Sequence, residues 1–146
     1  MDLPSMADAP FHCPPDIWLD LPPPISVNRM RRIDWSASVR QTEWKRGADA
    51  YIYMAKRRKE HPLKLRSIER FEITLTFNES LTGIDLDNGV KGIIDYLCYA
   101  EVIAGDAPKN MRRLVVEFGY APEGCRVTVK PLPLTMGDIA RNLGAA

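Results

Sequence analysis

At 146 residues and 16.5 kDa the chain fits one domain of ordinary size and is short for two. With 45% apolar and 27% charged residues it is neither a disordered nor a collagen-like chain, and no run approaches the roughly 18 apolar residues of a membrane span. The formal charge of +1 is a cancellation: residues 1–28 carry four acids and no Lys or Arg (−4), residues 29–70 thirteen bases against five acids (+8), and residues 71–146 seven bases against ten acids (−3).

Seven of the twelve prolines fall within the first 24 residues, which predicts an extended or disordered tail over 1–15. Ile17-Trp18-Leu19-Asp20-Leu21 alternates and uses β-type residues, so it reads as a short strand ending in the polyproline-like Pro22-Pro23-Pro24. Residues 25–34 read as a basic loop. From Ser38 to about Lys59 no proline occurs, and Val39, Thr42, Ala48, Tyr51, Ile52 and Ala55 recur at helical spacing, with Gly47 as a weak point. The opposite face of this helix is expected to carry Arg40, Lys45, Arg46, Lys56, Arg57 and Arg58, and His61-Pro62 to end it.

The clearest strand is 71–77, with Phe71, Ile73, Leu75 and Phe77 on one side and Glu72, Thr74 and Thr76 on the other. A second helix over 88–100 has its apolar stripe at Val90, Ile93, Ile94, Leu97 and Cys98, capped by Asp87 or Asn88. After a loop at 105–108, strands are expected at 112–118 and 126–130, joined as a hairpin through residues 120–124, and a short helix from Thr135. The expected class is α+β, a small sheet of about four strands with two main helices. The expected layout is a tail over 1–15, one domain over 16–134, and a C-terminal tail or short helix over 135–146.

Cys13, Cys98 and Cys125 leave one thiol over in any disulfide scheme, and none has zinc-ligand spacing. Neighbouring His12 and Cys13 read as incidental. The first residues are acidic and proline-rich, unlike a secretory signal. Cytoplasmic residence and no membrane partner are therefore expected.

Candidate chemistry gathers in Gly83-Ile84-Asp85-Leu86-Asp87-Asn88-Gly89-Val90-Lys91. In an extended segment Asp85 and Asp87 point the same way, within reach of one cation. Lys91 lies one helical turn beyond Asp87, and Asp95 one turn beyond that. Taken alone, this pattern is more often a capped helix with surface ion pairs than a site. Asp106, in a Gly- and Pro-bounded loop before the next strand, is expected to return to the same end of the sheet. Three converging carboxylates would need a divalent cation or proton uptake to offset their repulsion.

These residues resemble the RusA family of Holliday junction resolvases, often carried by prophages. That family has a proline-rich start leading to an asparagine, as in Pro22-Pro23-Pro24-Ile25-Ser26-Val27-Asn28, then Asp-x-Asp-Asn-x-x-Lys opening a helix and a further Asp one turn later. Asp85, Asp87, Asn88, Lys91 and Asp95 match position by position, and Asp106 stands where the family has the second acid of an Asp-Asp pair. The likeness spans roughly residues 17–130. Two departures are Gly105, in place of the first acid of that pair, and Ile25, which interrupts the usual Pro-Pro-Ser.

The resemblance implies a RusA-like homodimer acting as a Mg²⁺-dependent endodeoxyribonuclease, with Mn²⁺ as a substitute, that resolves four-way junctions by paired symmetric nicks in recombination and repair, its partner being branched DNA, especially four-way junctions. It implies Asp85, Asp87 and Asp106 as metal ligands and, with Lys91, as catalytic residues, with Asn88 and Asp95 supporting them. DNA contacts are expected from Arg29, Arg31, Arg32, Arg40, Lys45, Arg46, Lys56, Arg57 and Arg58, which suit phosphate contacts. Trp35 and Trp44 are interleaved with these bases, and core packing is preferred for both over stacking on DNA bases. The alternative is a non-catalytic nucleic-acid-binding accessory protein.

Overall fold

Residues 16–24, 35–58, 67–81 and 86–137 are described by a computed structural model, the side chains of 35–38 and 86–88 excepted. Their elements are β1 (Ile17–Leu21), α1 (Trp35–Lys56), β2 (Phe71–Asn78), α2 (Leu86–Tyr99), β3 (Met111–Gly119) and β4 (Cys125–Pro131). The class is α+β: a four-stranded mixed sheet in the order β1-β4-β2-β3, with two helices. No helix among the described residues is long and apolar enough to cross a membrane.

Alternation along each strand builds the core as rows running across the sheet. Leu19 pairs with Val127, Val127 with Leu75 and Leu75 with Val116; a second row runs Leu21, Cys125, Phe77, Phe118, and a third Ile17, Val129, Ile73, Leu114. Onto these rows α1 sets Ala48, Ile52 and Ala55, and α2 sets Ile93, Ile94, Tyr96 and Leu97, all buried. Each fully buried Leu, Ile or Phe contributes about 1.5–3 kcal/mol over leaving it in water. Burial falls off at the two edge strands: Ile17 of β1 is half-buried, and on β3 Leu114 is 39% and Phe118 44% exposed.

β2, α2 and β3 form a βαβ crossover, since β2 and β3 are parallel neighbours. The expected β3–β4 hairpin is not formed. β4 inserts between β1 and β2, antiparallel to both, because the crossover fills the other side of β2. The connection from β3 to β4 therefore passes over the end of β2. Asn78 closes that passage by donating from its backbone N to Gly124 O (3.0 Å) and from Nδ2 to Ala121 O (2.9 Å).

The expected strands are otherwise found within a residue or so at each end, and both helices start earlier than expected, at Trp35 and Leu86. That early start puts Asp87 and Asn88 at the second and third helical positions of α2 rather than at its cap. An acid in the first turn is favoured there by the helix dipole. Of the C-terminal helix expected from Thr135, Met136 and Gly137 are helical, and the remainder lies outside the described residues.

Candidate functional site

Three prolines and three glycines fix the geometry around the start of α2. A Cβ on Gly47 of α1 would lie 3.4 Å from Pro22 Cγ, one on Gly124 would lie 2.5 Å from Pro23 N, and one on Gly89 of α2 would lie 2.9 Å from Pro24 Cγ. Each proline ring thus fills the space left by one missing side chain, and Trp44 Nε1 donates to Pro23 O at 2.8 Å. The rigid Pro22–Pro24 segment is wedged between α1, the β3–β4 connection and the first turn of α2. Pro24, the last described residue of that segment, lies against Gly89 in the first turn of α2. Asn28, with Arg29, Arg31, Arg32 and Asp85, lies outside the described residues.

Lys91 and Asp95 are exposed on the outer side of α2, one turn apart. Neither makes an ion pair or hydrogen bond with a described residue; the ion pair found among those residues joins Arg126 to Asp20 at 2.8 Å. Lys91 instead borders a cleft of about 410 Å³ between α1 and α2, whose walls include Pro24, Trp44, Lys45, Asp95 and Tyr99. Trp44 stands edge-on to Tyr96, with centroids 5.2 Å apart, and Lys45 Nζ sits 5.5 Å above the Tyr99 ring. At the floor, Tyr96 donates from its hydroxyl to Asp49 Oδ1 at 2.6 Å. Burial and that bond hold the Tyr96 phenol well above its usual value.

Asp106 does not return to this end of the sheet. α2 runs back along the strands, and the loop that follows it is tied to the start of β2: Ile68 N donates to Val102 O, Phe71 N to Asn110 O, and Asn110 Nδ2 to Glu69 O. Asp106 is exposed within that loop, close enough to Cys98 to help raise its thiol pKa, after the larger effect of burial. From Asp87 to Cys98 the helix rises about 16 Å over its eleven steps. Asp87 and Asp106 of one chain therefore sit at opposite ends of α2. Among the described residues no three Asp, Glu, His or Cys groups converge on one point.

The basic tract is also divided. At about 100° per residue, Arg46 and Arg57 project opposite the buried Ala48, Ile52 and Ala55, whereas Lys45 turns toward α2. Arg58 lies 3.9 Å over the Trp18 ring and donates to Trp18 O. Arg126 covers the same ring at 4.5 Å while its Nε and Nη2 hold Asp20. The expected single basic face of α1 thus resolves into several directions, because the positions at 45, 46 and 58 are not in helical phase. Arg40 is exposed, and Lys56 is half-buried. Trp44 is packed as core; the side chain of Trp35 lies outside the described residues.

Sequence reasoning missed the Tyr96–Asp49 bond and the proline–glycine lock. Tyr96 falls between the apolar positions of α2, and nothing local links Pro22, Pro23 and Pro24 to glycines far along the chain. No family model matches the sequence, and no curated protein matches it significantly.

Proposed function

We propose that the chain is a Mg²⁺-dependent, structure-selective endodeoxyribonuclease of the RusA type, acting as a homodimer on four-way DNA junctions. The observation that carries this reading is the ordered set Asp85, Asp87, Asn88, Lys91, Asp95 and Asp106, together with an exposed Lys91 one turn from Asp87, beside a cleft and without a described salt-bridge partner.

Carboxylate oxygens are the donors Mg²⁺ prefers, and it commonly takes one or two of them while keeping several waters. Asp87, in the first turn of α2, and Asp85, two residues before it in sequence, have the carboxylate chemistry of that donor set. Because Asp106 lies beyond the other end of the helix, a third carboxylate would reach them from a second copy of the chain. When bound, the cation supplies charge neutralisation at the scissile phosphate and a lowered pKa for the attacking water. Lys91 Nζ stabilises negative charge building on the phosphate oxygens. Asn88 and Asp95, on the same helix, would support Asp87 and Lys91 once metal and DNA are bound, Asp95 making no ion pair with Lys91 in the free chain. Two sites related by a two-fold axis match the symmetry of a junction that needs two nicks. Arg29, Arg31, Arg32, Arg40, Lys45, Arg46, Lys56 and Arg57 hold phosphates, contacts that position the DNA without reading its sequence.

A nicking assay on a synthetic four-way junction tests the proposal. Cleavage should require Mg²⁺ or Mn²⁺, stop with EDTA, and fall by about a hundredfold or more in Asp87→Asn, while junction binding persists. Cleavage undiminished by Asp87→Asn overturns the mechanism, and binding with no metal-dependent cleavage favours a non-catalytic accessory protein.

A further inference from the structure

The sheet ends on β3, a nine-residue strand with no described neighbour on its outer side. Long, apolar, unpaired edges are usually shortened, bulged or charged to prevent association. Here the strand carries Arg112, Arg113 and Glu117, but Leu114, Val115 and Val116 are consecutive, Phe118 follows Glu117, and the core rows run out at Leu114 and Phe118, which stay substantially exposed.

We infer that β3 pairs with β3 of a second copy, antiparallel about a two-fold axis through Val115, making one eight-stranded sheet. This deepens the function proposed above, which already calls for two copies, by naming their interface.

The register follows from the side chains. A two-fold axis perpendicular to the sheet keeps each face on its own side, so only residues of the same face can oppose. Centring on Val115 sets Leu114 against Val116 of the partner subunit and Arg113 against Glu117 of the partner subunit, and both pairs occur twice. Within one chain, Glu72 lies across from both Lys130 and Arg113, and Thr76 across from both Glu117 and Arg126, which holds Asp20. The joined outer face would then read Lys130, Glu72, Arg113, followed by Glu117, Thr76, Arg126 and Asp20 of the partner subunit, with charges alternating across the seam. On the helix-bearing face the row Ile17, Val129, Ile73, Leu114 continues into the row ending at Val116. Centring one residue later on Val116 would leave Arg113 against glycine and Glu117 against valine. Glu117 also accepts from Thr76 Oγ1 at 3.3 Å, which leaves its second oxygen for arginine.

Sedimentation equilibrium of the full chain tests the interface without any use of nuclease activity. The wild type should be a dimer, and Glu117→Arg, which sets like charges across both symmetric pairs, should raise the dimer dissociation constant by about tenfold or more. Arg113→Glu should act likewise, and the double variant carrying both exchanges should recover dimerisation. Far-UV circular dichroism separates lost pairing from lost folding. Under mild oxidation Val115→Cys should cross-link to itself well above the level of the parent chain and of Val116→Cys. A monomeric wild type, folded single variants that still dimerise, or a double variant that fails to recover would each overturn the inference. Asp87-dependent junction cleavage alongside any of those results would leave the activity standing and remove only this interface.

Discussion

Gly124 is where a single missing side chain matters most. Its φ of +123° is one that L side chains rarely adopt, and a Cβ there would fall 2.5 Å from the backbone N of Pro23. Two costs coincide, backbone strain and a contact with rigid main chain that cannot swing away. Gly124→Ala should therefore destabilise the fold by at least about 2 kcal/mol, read as a lowered urea midpoint. Gly92 gives the opposite sign. It lies within α2 with nothing inside 4 Å of a built Cβ, so Gly92→Ala should stabilise by up to about 1 kcal/mol through helix propensity alone. Equal effects at the two positions would mean that the Pro23 contact is not made in solution. The contrast also marks what a sequence conceals: both residues read as glycines in plausible places, and only the tertiary approach of a proline separates them.

At the scale of elements, the joint between α1 and α2 has a pH signature. Burial, then the hydrogen bond to Asp49, raises the Tyr96 phenol above its ordinary 10.0. The bond to Glu123, then burial, raises Tyr51, and burial, then Asp20, pushes the Cys125 thiol from 9.0 up to about 12. In all three the fold favours the protonated form, so the native chain keeps protons that the unfolded chain releases near pH 9 for thiols and near pH 10 for phenols. The stabilisation is complete below those values and is lost as pH rises through the folded ones. Urea midpoints should fall steadily between about pH 8 and pH 11, and Tyr96→Phe should make the fall shallower. A slope unchanged in Tyr96→Phe would show that the fold does not hold the Tyr96 phenol protonated. The elements themselves were legible because period-2 and period-3.6 patterns report burial directly: Phe71, Ile73, Leu75 and Phe77 are all buried, as are Ile93, Ile94 and Leu97. Strand order was not legible. A five-residue link between β3 and β4 suits a hairpin by length, and only the parallel pairing of β3 with β2 shows that β4 belongs on the far side.

For the molecule as a whole, the near-neutral charge is a cancellation between segments of the sequence. The spacing of Asp85, Asp87 and Lys91 alone fits a capped helix as well as a site, and the position of Asp106 was not legible, because spacing along a chain cannot say to which end of a helix the next loop returns. The crossover sends it away from Asp87, and an antiparallel β3–β3 seam would set the Asp106 loop of one copy at the same end of the joined sheet as the α2 N-terminus of the other, roughly two strand spacings or 10 Å across. This arrangement has a consequence that a one-chain site lacks. If the proposed site is shared between two chains, Asp87→Asn and Asp106→Asn homodimers would each have two defective sites. A heterodimer of the two variants would gather both substitutions in one site and leave the other intact. Equal mixing, with subunit exchange, makes about half of the dimers heterodimers, so single nicking of a junction should return to about a quarter of the wild-type level. A site built within one chain would stay inactive at every mixing ratio, because each chain would carry its own defect. Titrating one variant into the other and following nicks per junction therefore tells a shared site from a self-contained one.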